Sequence, residues 1–314
     1  MASSSLNKIL KPRLPAVAAG IESDSAAVVQ LDRARGGFVV KRAARVRLPA
    51  DIVQPSFDKS NINDPAELTH ALTDLITGAA LLRQRKWSVA LPEAATRSTI
   101  ITIEGARGSR REMEEVFEWK MERAFGAPPS ELRIAREQLP SESRSQSRHL
   151  VNAIRLDVLA EYESVFASLG WQAGLILPRH VGEEQWLRNG RQGDGLLLTA
   201  HEEGFTAVLM RGNRPLTLRS VFCDASECDD ELHRVLLFYR DRVAASAADD
   251  LPEIDRLLVI GGQLDKQRVA EIANDALGAR LRPLDAADVG LLLPAGDLDF
   301  DTIAAPAGLA RLAW

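Results

Sequence analysis

Apolar residues run through Ala16–Leu31, AVAAGIESDSAAVVQL, in two short stretches separated by the polar segment Glu22–Ser25, a pattern that predicts a β-hairpin with a tight turn. Gly36-Gly37 sets another turn, and Phe38–Leu48 then alternates apolar with basic residues as a half-exposed strand does. After the polar, turn-rich Pro49–Asn63, the run Asn63-Asp64-Pro65-Ala66-Glu67 supplies a cap and a proline for a helix whose apolar face is Leu68, Leu72, Leu75 and Ile76. Trp87–Leu91 reads as a buried strand closed by Pro92, and Ser98–Ile103 as a second strand. From Arg111 the spacing of Met113, Val116, Phe117, Lys120 and Met121 predicts a helix ended by Gly126.

Ser141–Arg148 has no apolar residue and reads as an exposed loop. A strand at Leu150–Ile154, a helix at Leu156–Leu169 stopped by Gly170 and a strand at Trp171–Leu177 follow. Leu196–Thr199, Phe205–Met210 and Leu216–Phe222 form a three-strand meander. Helix Glu231–Val243 leads to the strand of Leu257–Gln263, LLVIGGQ, and Val269–Leu277 is a helix stopped by Gly278. Leu291–Pro294 and the closing APAGLARLAW are apolar enough to be packed. The alternation places Val17–Leu31, Phe38–Leu48 and Val151–Ile154 in one mixed sheet. The Arg111–Phe125 helix is expected to lie on Ser88–Leu91, Ser98–Ile103 and Leu150–Ile154, with Val116, Phe117 and Met121 facing those strands.

At 314 residues and 46% hydrophobic content the chain can bury a substantial core. A net charge of -5 and the lack of basic blocks interleaved with aromatics argue against a nucleic-acid surface. No apolar run approaches the roughly 20 residues that cross a bilayer, so the expected location is the cytoplasm. The leader Met1–Pro15 combines Leu6, Ile9 and Leu10 with Lys8, Lys11 and Arg13, a frayed basic segment or a short amphipathic turn. Cys223 and Cys228 lack the further ligands a metal site needs and read as structural thiols at a helix start.

Taken in order, these segments resemble the PilM family of type IV pilus assembly proteins, within the actin-like ATPase superfamily. The likeness rests on LNKILKPRLP before the first hairpin, SNINDPAELTHAL, WSVALPEAATRSTIITIEG, REMEEVFEWKMERAFGAPPSEL, VLAEYESVFASLGWQAGLIL and APAGLARL. It implies an α/β, actin-like (ribonuclease H-like) two-lobed fold with an inserted small α+β subdomain. Residues 1–86 would begin the first lobe, 87–156 form the insertion, 157–190 continue the first lobe, 191–290 make a shortened second lobe, and 291–314 return to the first. It implies a cytoplasmic scaffold peripheral to the inner membrane, gripping the tail of a PilN-like single-span protein beside the insertion and meeting other pilus assembly proteins.

The departures from that family gather at the nucleotide. Glu22 and Asp24 stand where the family has aspartate and glycine, with Ser25 beside them, and Thr199-Ala200-His201 replaces the second phosphate turn. Of the implied cofactor-binding positions Glu22, Asp24, Ser25, Thr199, Gly261 and Gly262, only the Gly261-Gly262 pair keeps the family's residues. The family's covering segment between the meander and the next helix is also missing. A carboxylate near the phosphates repels them, and loss of Thr199's counterpart carboxylate removes a hold on hydrated magnesium. The expectation is no catalysis, no metal and no cofactor, with magnesium ATP disfavoured. The competing reading is a working ATPase or phosphotransferase of the same fold, with Glu22, Asp24 and Asp194 as its candidate carboxylates. A type II secretion scaffold would share the fold and differ in partner.

Overall fold

The computed structural model describes residues 14–104, 109–141, 146–188, 193–244, 254–296 and 298–314. The basic leader therefore lies outside the described residues up to position 13, as does the middle of the serine/arginine loop. The first hairpin pairs β1 (Val17–Ile21) antiparallel with β2 (Ser25–Ala34), and β2 pairs in turn with β3 (Gly37–Arg47). On the other side of β1, β4 (Lys86–Leu91) runs parallel to it, and β8 (Gln172–Pro178) runs parallel to β4. With β13 (Leu291–Leu292) beside β3, the order is β13-β3-β2-β1-β4-β8.

Both faces of this sheet are covered at β1 and β4, which are apolar nearly throughout, whereas β3 toward the edge alternates as its sequence predicts. Val17, Ala19 and Ile21 point to α1 (Pro65–Gly78) and α3 (Leu156–Ser168), joining Leu68, Leu72, Tyr162 and Phe166 in one core. Asp64 caps α1 by accepting from the Ala66 and Glu67 amides, as its sequence predicts. The fully buried Asn61 staples the loop before it, accepting from the Tyr162 hydroxyl at 3.1 Å, while the Asn61 and Ile62 amides donate to Glu161. Ala18, Ala27 and Val29 face the other way, toward α7 (Phe300–Arg311).

The second sheet has the order β11-β10-β9-β12, built from β9 (Asp194–His201), β10 (Gly204–Arg211), β11 (Arg214–Phe222) and β12 (Ile254–Ile260). It repeats the β3-β2-β1-β4 plan of the first sheet, with two antiparallel pairs and one parallel strand. In place of a fifth strand only a parallel bridge joins Leu257 to Pro283. Leu196, Leu198 and Phe205 pack under α5 (Cys228–Ala244) and α6 (Lys266–Leu277). Leu197, Val208, Leu258 and Ile260 on the opposite face share a core with α7 and the first sheet, so the two lobes meet over apolar side chains. Close approach of α7 to the segment that follows β8 depends on glycine: a Cβ at Gly308 would sit 1.8 Å from the Gly182 carbonyl oxygen.

A three-stranded sheet of order β5-β7-β6 forms a separate unit from β5 (Arg97–Glu104), β6 (Leu132–Leu139) and β7 (Gln146–Arg155). Helix α2 (Arg110–Phe125), opened by a Ser109–Glu112 capping box, covers it through Phe117, Met121 and Phe125. Three expectations are corrected here. Val151–Ile154 belongs to β7 in this smaller sheet and not to the mixed sheet of the first hairpin. Trp87–Leu91, expected with the insertion and under its helix, is a central strand of the large sheet. Val116 is exposed and does not face the strands, because one row of α2 side chains suffices to cover so small a sheet.

Candidate functional site

The carboxyl ends of β1, β4 and β8 in the first lobe meet the β9–β10 turn and the end of β12 in the second, the position where open α/β sheets bind ligands. They enclose a cleft of about 720 Å³. Glu22, Asp24, Ser25, His201, Gly261 and Gly262 all line it. Gly261 needs its glycine, since φ is +107° and a Cβ would lie 2.8 Å from that of Ala200. Thr199 does not line the cleft. Strand alternation turns it toward the first lobe, but one step deeper than His201, and its buried hydroxyl donates to Glu183. Asp194 is at the opposite end of β9, where it is buried against Arg211 at 3.2 Å and accepts from the Tyr239 hydroxyl at 2.9 Å.

What the sequence did not reveal is the charged floor beneath the cleft. Pro178 ends β8 and starts the short helix α4 (Arg179–Glu183), which carries Arg179 and His180 inward. Arg179 is clamped between Glu183 at 2.8 Å and Glu22 at 3.2 Å, and His180 Nδ1 meets Glu93 at 2.7 Å. Burial is the largest influence on Glu22 and raises it to about 7, against the attraction of Arg179 and with the help of Glu183, Glu93 and Asp24. Burial also opposes ionisation of Glu93, yet the neighbouring His180 outweighs it and holds Glu93 at about 2. His180 is raised in return, its own desolvation being overcome by Glu93. His201 is lowered by burial, and neither of its ring nitrogens has a hydrogen-bond partner among the described residues.

Carboxylates dominate the rest of the lining, with Asp24, Glu202, Glu203 and Asp301 among them. The cations that reach the cleft are each engaged: Lys266 with Asp301 at 2.6 Å, Arg45 with Asp299 at 3.2 Å, and Arg179 as above. The tips of the two glycine-turn equivalents touch, Ser23 donating to Glu202 across the lobes. A guanidinium occupies the space between the carboxylates Glu22 and Glu183, and Asp24 and Glu202 add two further carboxylates to the lining. Among the described residues no group of three or more His, Cys, Asp or Glu side chains is placed to hold a metal ion.

A second groove, of about 260 Å³, opens between the inserted unit and the large sheet. Arg133–Ala135 of β6 and Ala173–Pro178 of β8 form its walls, with Leu159 and Glu163 of α3 between them. Both β6 and β8 are edge strands of their sheets among the described residues, and both contribute residues to this groove. Gly174 is exposed in β8, and a Cβ there would meet nothing within 4 Å.

No family model and no curated protein sequence matches the chain. Among solved structures, a chain of the PilM–PilN type IV pilus biogenesis complex overlays with a TM-score of 0.74 at 19% identity, covering 96% of this chain and 99% of that one. The cytoplasmic domain of EpsL, an inner-membrane component of the Vibrio cholerae type II secretion system, covers 85% and 96% at a TM-score of 0.45 and 11% identity. A Bacteroides thetaiotaomicron protein with an actin-like ATPase fold and unknown function covers 92% and 93% at 0.46 and 9%. Among the described residues, no helix is long and apolar enough to cross a membrane. The likeness to PilM read from the sequence holds at the level of fold: this chain has the α/β fold of a chain in the PilM–PilN complex.

Proposed function

We propose that the chain is a non-catalytic scaffold of a type IV pilus assembly complex, seated at the cytoplasmic face of the inner membrane by holding the tail of a PilN-like single-span protein. The observation that carries this reading is the overlay on the PilM–PilN complex over nearly the full length of both chains. The cleft supports the non-catalytic part, because among the described residues the cations that line it are paired with the protein's own carboxylates. The groove between β6 and β8 supports the partner: an extended peptide can add to either strand edge while its side chains enter the space over α3.

The test is fluorescence anisotropy with an N-terminal tail peptide of about ten residues, taken from the membrane protein encoded beside this gene and sized for one added strand. Saturable binding is expected, reduced at least tenfold (about 1.4 kcal/mol) by Gly174→Trp. Gly174 lines the groove, and a Cβ there meets nothing within 4 Å, so the substitution adds bulk at the groove wall without a clash at its first side-chain atom. Failure of the tails of all neighbouring membrane proteins to bind, with the fold intact by circular dichroism, overturns the scaffold reading.

A further inference from the structure

Cys223 follows the last residue of β11, and Cys228 is the first residue of α5. Both are free thiols, partly exposed, and their sulfurs stand 2.7 Å apart. That separation is within about 1 Å of a covalent S–S bond, near 2.05 Å. The backbone on each side is fixed: the Cys223 amide donates to the Glu203 carbonyl at 3.0 Å, and the loop between the cysteines is folded by Glu227 N–H to Asp224 O at 2.9 Å. Closing the bond therefore asks the two sulfurs to approach by less than about 1 Å.

We propose that Cys223 and Cys228 are a modification site, forming a reversible intramolecular disulfide that fastens the start of α5 to the end of β11. The oxidant is a low-molecular-weight disulfide of the glutathione class. One protein thiolate attacks it, forming a mixed disulfide and releasing one small thiol. The second protein sulfur then displaces the other small thiol, so two protein thiols are oxidised, one small disulfide is reduced to two thiols, and the two protons leave with those thiols. Burial, the Cys228 sulfur, and Glu231 and Glu227 push the Cys223 thiol up, and either sulfur can make the first attack with the other resolving it. The bond would stiffen the cleft's second-lobe rim, because Cys223 is hydrogen-bonded to the β9–β10 turn and the neighbouring Phe222 ring packs edge-on to His201 at 6.0 Å.

The experiment equilibrates the purified chain with reduced and oxidised glutathione at varied ratio, then reads intact mass and titratable thiols. As the oxidised share rises, both thiols should be lost with the mass of two hydrogens and no glutathione adduct. The fraction oxidised should not depend on protein concentration, dithiothreitol should reverse it, and hydrogen exchange over the first turn of α5 should slow in the oxidised chain. Cys223→Ser and Cys228→Ser should each accumulate the mixed disulfide instead. Two free thiols at every ratio, two stable glutathione adducts per chain, or bonds formed only between chains would overturn the site. The wild-type measurement decides this without relying on either variant.

Discussion

Glu22 shows how a single residue can be visible in the sequence while its chemistry is not. Its place in a polar turn between two apolar runs marked a hairpin turn, and only the resemblance implied a site there for Glu22, Asp24, Ser25 and the Gly261-Gly262 pair, all of which line the cleft. Arg179, Glu183 and Glu93 were not visible, because charged residues in a short segment read as solvent-facing, and only contacts from β1, β4 and β9 bury them. Thr199 lies deeper along β9 than His201, with its hydroxyl on Glu183, a depth that alternation alone cannot resolve. The consequence is measurable through pH. The folded chain holds Glu22 at about 7 against an ordinary 4.5, so it binds this proton more tightly than the unfolded chain does. Stability from that proton is complete below about 4.5 and is lost as pH rises through about 7. Glu22→Gln copies the neutral form and leaves Arg179 its Glu183 partner. We expect the variant to melt higher than wild type above pH 7 by about 1–3 kcal/mol, the upper figure trimmed because the side chain is 31% exposed. Below pH 4.5 the difference should vanish. Glu93, held at about 2, acts in the opposite sense: its contribution is present above 4.5 and fades as pH falls toward 2. Thermal melts of the two proteins across this range check the sign, and a variant less stable at high pH would refute it.

At the scale of elements, existence was easier to read than membership. The run WSVAL announces a buried strand, but the same run suits either sheet, and its parallel pairing with β1 and β8 depends on residues far along the chain. β6 went unread because LRIAREQL carries Arg133, Arg136 and Glu137 on an exposed edge, leaving little apolar signal. Helix α7 was read only as a packed segment. Pro306 lies inside it and normally ends a helix, yet here the proline ring packs on β1, 3.1 Å from where a Gly20 Cβ would be. Helix α2 was found with its stripe drawn one residue too wide. Phe117 is 2% exposed, between the Arg136 guanidinium at 3.7 Å from its ring centre and the edge of His149 at 5.4 Å, whereas Val116 is 41% exposed. Phe117→Ala should therefore lower stability by about 3–5 kcal/mol, and Val116→Ala should stay within about 0.5 kcal/mol of wild type. Urea midpoints measured for both decide it. Truncation is a cleaner test than Phe117→Asp, whose new carboxylate would meet Arg136 and recover part of the loss. Equal effects at the two positions would mean that α2 presents a different face.

Across the whole molecule, the two sheets follow one plan, and the apolar floor they share with α7 fixes how the lobes meet. Much of this was legible as an order of elements. The side chains that close the cleft from within were not, because Ser23 to Glu202 and Thr199 to Glu183 join residues more than a lobe apart in sequence or hidden under the surface. Those links bear on the nucleotide. Phosphate binding needs free backbone amides turned toward the ligand, spare cations, and carboxylates that position magnesium through its waters. Here the Gly261 amide donates to Asp301 at 3.3 Å, and the Glu22 amide donates to the Ser25 carbonyl at 2.8 Å. Lys266, Arg45 and Arg179 are engaged by carboxylates, and Glu22 at about 7 is only partly ionised near neutral pH, a weak anchor for a metal. A triphosphate entering the cleft would have to part these pairs and lie against Asp24 and Glu202. Parting the buried Arg179–Glu183 pair costs more than parting a surface ion pair such as Arg45–Asp299, and the new contacts are repulsive. We therefore expect isothermal titration with magnesium ATP to give no saturable heat at micromolar concentrations, and phosphate release to stay at the level of buffer. Micromolar affinity, or turnover that Glu22→Ala abolishes, would show that the lobes part and re-pair around the ligand, and that the internal Arg179 bridge is a resting state instead of a replacement for the nucleotide.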